Sequence, residues 1–253
     1  MTGRTSNGPV RSRDVPDGNP EVIINFGSPF FKTEASSTLK SPDNGAIKPQ
    51  FDHSIIIEQS GDIDILGVCF RPEGFYPFIK TDLFALRNQT VSLDILIGQD
   101  LYNRLRDETD VLKRLSVLES FLLAKLSRTP PPHPLILESL SRVKFTQANT
   151  SIRQLCNDLK ISTKHFERIY KKEIGTTPKQ LFDIIRIKKL LTTLNESPVD
   201  WMELVANFGY HDQSHLCRDF QRLTGRSPTQ FIAKNDRFSG HYQSLNNHVD
   251  FIQ

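Results

Sequence analysis

The chain has 253 residues, of which 37% are hydrophobic and 24% charged, and its formal net charge is +3. This length accommodates two ordinary domains or one large one, and the composition is that of a globular rather than a disordered protein. No apolar run approaches the roughly 18 residues that cross a bilayer, which excludes an integral membrane protein. The first eight residues lack an apolar core, so we expect no secretory signal peptide. Three scattered cysteines fit a reducing cytoplasm.

The basic side chains are concentrated in one segment. Residues 151–234 carry 14 Lys and Arg against nine Asp and Glu, a net charge of +5, whereas residues 1–150 and 235–253 each carry −1. A basic segment beside a nearly neutral remainder is typical of a protein that binds a phosphate backbone, although a solvated helical surface has the same signature.

The first half of the chain predicts a small β domain. We expect a flexible N-terminus over residues 1–15 and a β-rich domain over residues 16–96, because β-branched residues are enriched and helical periodicity is absent. The clearest strands are Glu21–Phe26, Ser54–Glu58 and Ile63–Phe70. The domain is also rich in aromatic residues, enough to line a small-molecule pocket or, equally, to form a folding core: Phe26, Phe30, Phe31, Phe70, Phe75, Tyr76 and Phe78.

Residues 97–133 change to a helical period and then end in prolines. Leucines recur at steps of three and four residues, which predicts one or two amphipathic helices. These helices either pack on the β domain or form a homodimer through residues 97–127. The run Thr129–Pro134 predicts a semi-rigid linker, because consecutive prolines cannot continue a helix.

An internal repeat with an offset of 50 residues occupies the basic segment. Its identical pairs are His165/His215, Arg168/Arg218, Gly175/Gly225, Pro178/Pro228 and Gln180/Gln230. Each copy predicts a short helix, a tight turn and a second helix that follows a capping residue, Ser162 or Asp212, and stops at a glycine. That arrangement is a helix-turn-helix. The helix Lys179–Asn195 joins the copies and is about 25 Å long, which allows the two second helices to enter successive major grooves about 34 Å apart.

The second copy, Phe208–Pro228, resembles the signature of AraC/XylS-type transcription regulators. The matching residues include Gly209-Tyr210, Asp212-Gln213-Ser214, Leu216, Arg218, Phe220 and Gly225 through Pro228. The first copy is more divergent, with Cys156 where the family has alanine and Tyr170 where it has phenylalanine. Short motifs at Pro16–Gly27 and Gly67–Gly74 are similar to the small N-terminal domain of one subgroup of these regulators.

The resemblance implies an α+β chain, with a small N-terminal β domain and helical linker followed by an all-α DNA-binding domain over residues 134–234 and a flexible tail over residues 235–253. In that domain a long helix joins two helix-turn-helix units. The expected function is sequence-specific transcription regulation in the cytoplasm. The expected partners are double-stranded DNA, RNA polymerase and a small-molecule effector of the N-terminal domain. The competing hypothesis is a ligand- or protein-binding module whose helix-turn-helix units no longer bind DNA.

Two groups of side chains are the candidates for DNA contact. The first lies on the second helices, opposite their apolar faces, where the family pattern faces the groove and Lys, Arg, Gln and Glu can read base edges. Its members are Lys164, Glu167, Arg168, Gln213, Ser214 and Arg218, and Arg222 near the end of the second helix is a further candidate for DNA contact. The second lies at helix starts, where free amides favour phosphate. Its members are Ser162, Thr163, Thr177 and Lys179.

Enzyme and metal chemistry are not expected. His211, His215 and Cys217 lie close in sequence, but no Cys-x-x-Cys pair accompanies them. A metal-dependent enzyme in the β domain would need at least two histidines with a carboxylate, and residues 1–132 contain only His53. We therefore expect no catalytic residues, no metal and no cofactor.

Overall fold

The computed structural model describes residues 2–4, 10–34, 37–41, 43–145, 150–196 and 201–233. The predicted tail 235–253 lies outside the described residues. Within them the chain forms an N-terminal β region followed by helices, which confirms the α+β class. No helix in this part of the chain combines the length and apolarity needed to cross a bilayer.

Two antiparallel sheets form the N-terminal region. The strands are β1 (Thr2–Arg4), β2 (Val10–Asp14), β3 (Glu21–Asn25), β4 (Phe30–Glu34), β5 (Ser37–Lys40), β6 (Gly45–Lys48), β7 (Ile55–Gln59), β8 (Asp62–Cys69) and β9 (Val91–Ser92). One sheet has the order β1-β8-β3-β6-β9 and the other the order β2-β7-β4-β5. The three strands predicted from sequence are confirmed as β3, β7 and β8.

The predicted flexible N-terminus, residues 1–15, is corrected by the structure. Val10–Asp14 is a strand that pairs with β7 in the register Val10↔Gln59 to Asp14↔Ile55. Its sequence, Val-Arg-Ser-Arg-Asp, lacks the alternation of apolar and polar residues that would predict a strand. Backbone hydrogen bonds to β7 hold it in the sheet instead. Asp14 also contacts the buried ammonium of Lys48 on β6, which lies 2.6 Å from Glu21 on β3 and so links the two sheets.

The aromatic residues of the β region form its core. Phe75 is fully buried, and the Phe70 ring lies 5.2 Å from the rings of both Phe75 and Phe78. Phe31 is the exception, since it is 36% exposed. The aromatic cluster therefore stabilises the β region by packing.

The helices follow in chain order. They are α1 (Tyr76–Ile79), α2 (Gln99–Asp107), α3 (Val111–Leu126), α4 (Pro134–Phe145), α5 (Ile152–Asp158), α6 (Thr163–Ile174), α7 (Pro178–Glu196), α8 (Trp201–Asn207), α9 (Gln213–Thr224) and α10 (Pro228–Ala233). A 3-10 turn, Leu83–Leu86, lies between α1 and β9. The periodic segment predicted over residues 97–127 is two helices, α2 and α3, and the proline run lies between α3 and α4.

Helix α3 has one buried and one exposed side. Leu118 is 3% exposed and belongs to the core of the β region, against which Val117, Phe121 and Leu122 also pack. A second side, which adjoins the buried one, carries apolar residues that are 44–77% exposed: Val111, Leu112, Leu115, Leu123 and Leu126. Packing on the β domain is thus confirmed for one side of α3, and the other side remains available to a partner.

Each helix-turn-helix unit has its own core, and the N-terminal strand region contributes to one of them. Phe166, Tyr170 and Ile174 of α6 lie in one buried cluster with residues of α4, α5 and α7. Phe220 and Leu223 of α9 lie in another, with residues of α7, α8 and α10. Val15, directly after β2, is 2% exposed and belongs to this second cluster.

Because Val15 fills space in a helical core, we expect Val15→Ala to lower the free energy of unfolding by about 1–2 kcal/mol, about 0.8 kcal/mol for each buried methyl group lost. Chemical denaturation of the full chain measures the change. The matched control is Val111→Ala, whose side chain is 55% exposed and whose loss should change stability by less than about 0.5 kcal/mol. Equal effects of the two substitutions would show that β2 does not dock on the second unit.

Candidate nucleic-acid interface

The second helices of the two units, α6 and α9, are called the recognition helices. Each begins after a capping side chain and ends at a glycine. Ser162 Oγ accepts a hydrogen bond from the His165 amide at 3.2 Å, and Asp212 Oδ1 accepts one from the His215 amide at 2.7 Å. At the other end Gly175 and Gly225 take left-handed conformations, with φ of +87° and +73°. The predicted caps and glycine stops are therefore confirmed, and the repeat is one unit folded twice.

On α6 the predicted contact residues share one accessible face. Ser162, Thr163, Lys164 and Arg168 are exposed and Glu167 is half-buried, whereas Phe166 and Tyr170 on the other side are fully buried. Arg168 Nη2 lies 3.0 Å from His165 Nδ1, so the histidine orients the arginine along the helix surface. The face combines four donor side chains with one carboxylate acceptor.

A cleft of about 890 Å³ lies along this face and is called the α6 cleft. Seven of its lining residues come from α6 and its cap: Ser162, Lys164, His165, Glu167, Arg168, Lys171 and Lys172. Asp82 and Phe84 of the β region form the opposite wall. Four of the lining side chains are cationic and two are acidic, which makes the cleft basic overall.

On α9 the predicted contact residues Gln213, Ser214, Arg218 and Arg222 are all exposed. Arg218 Nε donates a hydrogen bond to the Ser214 carbonyl oxygen at 3.3 Å. His215 packs edge-on against Tyr210 at 5.1 Å, in agreement with a packing role for the repeated histidine. In the described part of the chain no group of His, Cys, Asp and Glu could hold a metal ion.

Two predicted DNA contacts, Lys179 and Arg222, have intramolecular partners that the sequence did not reveal. Lys179 Nζ lies 2.9 Å from Asp183 Oδ2, and Arg222 Nη2 lies 3.3 Å from Asp219 Oδ1. The nearly buried Arg186 joins both acids, at 2.7 Å from Asp183 and 3.2 Å from Asp219. This network ties α7 to α9 and so holds the second recognition helix against the connecting helix.

The remaining predicted position, Thr177, lies at the start of α7. Its hydroxyl is 3.0 Å from Gln180 Oε1, the same acceptor that Thr176 reaches at 2.9 Å. Gln180 therefore organises the turn after α6, and Arg87 of the β region donates to it at 3.2 Å. The ion pairs of Lys179 with Asp183 and of Arg222 with Asp219 could have been predicted from sequence, because opposite charges three or four residues apart lie side by side on a helix.

The β region contacts both units beside the glycine that ends each recognition helix. A side-chain carbon added at Gly175 would lie 3.0 Å from the Leu83 carbonyl oxygen, and one at Gly225 would lie 2.6 Å from Arg13 Nη1. Next to the first contact, the Lys171 ammonium lies 5.2 Å from the Phe84 ring centre. Lys188 of α7, between the units, forms an ion pair with Asp17 at 3.1 Å.

Comparison with known proteins gives two family matches and several distant structural likenesses. Residues 155–234 match a family described as "Helix-turn-helix domain", and residues 2–92 match "Domain of unknown function (DUF6597)". No curated protein sequence matches the chain.

Two of the similar solved structures are ToxT from Vibrio cholerae and the C-terminal domain of AraT, a response regulator from Geobacillus stearothermophilus. ToxT is 10% identical with a TM-score of 0.49, over 89% of this chain and 97% of that one. The AraT domain is 21% identical with a TM-score of 0.38, over 48% of this chain and 98% of that one. A further ToxT structure, described as unsaturated fatty acid bound, is 9% identical with a TM-score of 0.43, over 92% of this chain and 97% of that one. Identities and TM-scores this low give no information about ligands of this chain.

The family match and the repeated, capped recognition helices agree on the same segment. Both copies keep the cap, the buried aromatic residue and the terminal glycine of a helix-turn-helix at a fixed spacing. Residues 155–234 are therefore a helix-turn-helix domain that contains two copies of the motif.

Proposed function

We propose that the chain is a sequence-specific DNA-binding transcription regulator that places α6 and α9 in successive major grooves of one duplex. The observation that carries this proposal is the repeated geometry of the two recognition helices, each with its predicted contact face accessible and its aromatic face buried. Helix α7 has 19 residues and spans about 28 Å, which suits units that must sit about one helical turn of DNA apart.

The contact residues divide by what each side chain can reach. Lys164 and Arg168 on α6 and Arg218 on α9 are exposed cations that can donate to guanine, Gln213 suits adenine, and Glu167 can accept from cytosine. Ser162, Thr163 and Ser214 can donate to phosphate or base edges, whereas Thr177 would first have to give up its hydrogen bond to Gln180 Oε1. Lys179 and Arg222 would have to exchange an acidic partner for phosphate, so we expect them to contribute less than Arg168 and Arg218.

The test is selection of duplexes from a random library by the full chain at moderate salt. The proposal expects enriched sites with two motifs whose centres lie about 10–10.5 base pairs apart, and an affinity that falls steeply as salt rises. Binding without sequence preference, or no binding, would contradict it and favour the ligand- or protein-binding module. Mapping of bound sites across the genome would then identify the regulated genes.

Regulation by the β domain forms the second part of the proposal. The contacts at Gly175 and Gly225 join it to both recognition helices, so a change in its position acts on both. Asp82 and Phe84 also wall the α6 cleft, and their distance from α6 sets how much of that face a duplex can reach. A small-molecule effector or RNA polymerase could bias this arrangement by binding the β domain.

The exposed side of α3 supports a homodimer through residues 97–127. We expect Leu112→Glu combined with Leu115→Glu to convert a dimer to a monomer, because charge on an apolar interface is strongly unfavourable. Light scattering coupled to size-exclusion chromatography measures the mass. The control is Leu137→Glu on α4, which is also exposed, at 43%, but lies outside this stripe. A wild-type chain that is monomeric at high concentration would contradict the dimer.

A further inference from the structure

The two recognition helices carry the same histidine and arginine, three residues apart, but connect them differently. On α6 the exposed Arg168 side chain lies against His165, with 3.0 Å between Arg168 Nη2 and His165 Nδ1. On α9 the equivalent Arg218 donates to the Ser214 carbonyl oxygen at 3.3 Å. The arginine is therefore oriented by a side chain in the first unit and contacts the helix backbone in the second.

The histidine of the second unit has partners that the sequence does not repeat in the first. The His215 ring packs edge-on against Tyr210 at 5.1 Å, and its Nε2 lies 3.6 Å from Asp219 Oδ2. At the repeat offset of 50 residues, Tyr210 corresponds to Lys160 and Asp219 corresponds to Ile169. Because an isoleucine offers no acceptor and a lysine no aromatic ring, the histidine of the first unit cannot form either contact there.

The contact between Arg168 and His165 has a defined direction, which fixes the tautomer of the imidazole. A guanidinium has N–H donors on all three of its nitrogens and no acceptor. His165 Nδ1 therefore accepts the hydrogen bond, and the ring hydrogen of the neutral imidazole lies on Nε2. The bond occupies one donor of Arg168, and the others can still reach a base or a phosphate.

An arginine that is oriented before DNA arrives discriminates bases better than a mobile one. Two parallel N–H groups of a guanidinium match guanine O6 and N7, and this bidentate contact depends on the orientation of the planar group. The long, exposed side chain of Arg168 would otherwise lose conformational entropy on binding. The half-buried His165 reduces that loss, because its shorter side chain is already held on the helix.

We propose that His165 is a positioning residue for Arg168 and sharpens the preference of the first unit for guanine, whereas His215 is a packing residue of the second unit. This inference rests on the proposed function, in which α6 enters a major groove. It adds a determinant of specificity that acts through another side chain. The same residue type at the same place in the repeat consequently has two different roles.

Fluorescence anisotropy of the full chain tests the proposal on a duplex selected by the wild-type protein and on duplexes with single base-pair changes. Discrimination is the ratio of the affinities for the selected and the changed duplex, and Arg168→Ala identifies the position that Arg168 reads as the one where discrimination is lost. We expect His165→Leu, which removes the acceptor, to reduce discrimination at that position about 3- to 10-fold. His165→Gln keeps an acceptor oxygen within reach and should retain most of it. A smaller fraction of folded protein lowers both affinities equally, so the ratio is unaffected.

A double variant and a matched control separate positioning from packing. Because the histidine acts through the arginine, His165→Leu should cause no further loss of discrimination once Arg168 is alanine. The control is His215→Leu, which should lower the unfolding temperature and leave discrimination at the position read by Arg168 unchanged.

Several outcomes would overturn the proposal. They are unchanged discrimination in His165→Leu, a loss of affinity by the same factor on every duplex, additive losses in the double variant, equal losses in His165→Gln and His165→Leu, and an Arg168→Ala variant that keeps discrimination everywhere. A wild-type chain that selects no duplex would contradict the proposed function and this inference with it. A selected duplex on which His165→Leu discriminates normally would contradict the inference alone.

Discussion

Replacing Phe220 with alanine is expected to lower the free energy of unfolding by about 3–5 kcal/mol. The ring is fully buried in α9 and packs edge-on against Phe231 of α10 at 5.5 Å. Its removal forfeits the burial of the ring and leaves a cavity in a cluster that also holds Val15 and residues of α7 and α8. The change is large relative to the 5–15 kcal/mol typical of a domain.

Chemical denaturation followed by far-ultraviolet circular dichroism measures this loss. Phe166→Ala, at the equivalent place in the first unit and also fully buried, is expected to have a similar effect. Met202→Ala is the control, since that side chain is 74% exposed and should change stability by less than about 0.5 kcal/mol. A loss below about 1 kcal/mol at Phe220 would show that the second unit lacks a tightly packed core.

The helical half of the fold was predictable because its information is local. Ser162 and Asp212 cap helices through hydrogen bonds to amides three residues ahead, and Gly175 and Gly225 stop them by taking a conformation that other residues avoid. These signals lie within a few residues of each other and recur at one offset. Helices α6 and α9 consequently begin directly after the predicted caps and end directly before the predicted glycines.

The β half was less predictable because its pairing is not local. Strand β2 has a polar sequence and pairs with β7, whose residues lie 41 to 49 positions later, so only the backbone pairing reveals the strand. The contact of Arg13 with the turn at Gly225 joins residues more than 200 positions apart, and no spacing rule anticipates it. The same holds for Val15, which fills a helical core from the end of a strand.

The sequence predicted which side chains on the recognition helices are exposed, but not which of them already form ion pairs within the chain. Helical periodicity correctly separates the buried Phe166 and Phe220 from the exposed Arg168 and Arg218. It does not show that Arg222 is shared between Asp183 and Asp219, because Asp183 lies on another helix. We therefore expect a predicted contact residue that must first break an ion pair within the chain to contribute less to DNA binding.

This ranking leads to the prediction with the largest effect on DNA binding. Arg218→Ala is expected to weaken binding to the selected site by about 1–3 kcal/mol, which is about 5- to 150-fold, and to relax the preference at one base position. Arg218 is exposed, and its contact within the chain is a 3.3 Å hydrogen bond to the Ser214 carbonyl, so the side chain can reorient toward a base without breaking an ion pair. Stability should change little for the same reason.

Fluorescence anisotropy with a labelled site at fixed salt measures the affinity, and thermal unfolding of the same sample separates binding from folding. Arg142→Ala on α4 removes an equal charge from an ion pair with Glu138 and serves as the control. Arg222→Ala should weaken binding less than Arg218→Ala, because Arg222 must first leave Asp219 and Asp183. An unchanged affinity in Arg218→Ala would exclude the side chain from base recognition. Equal losses in all three variants would assign the effect to net charge, since nonspecific phosphate binding responds to charge rather than to position.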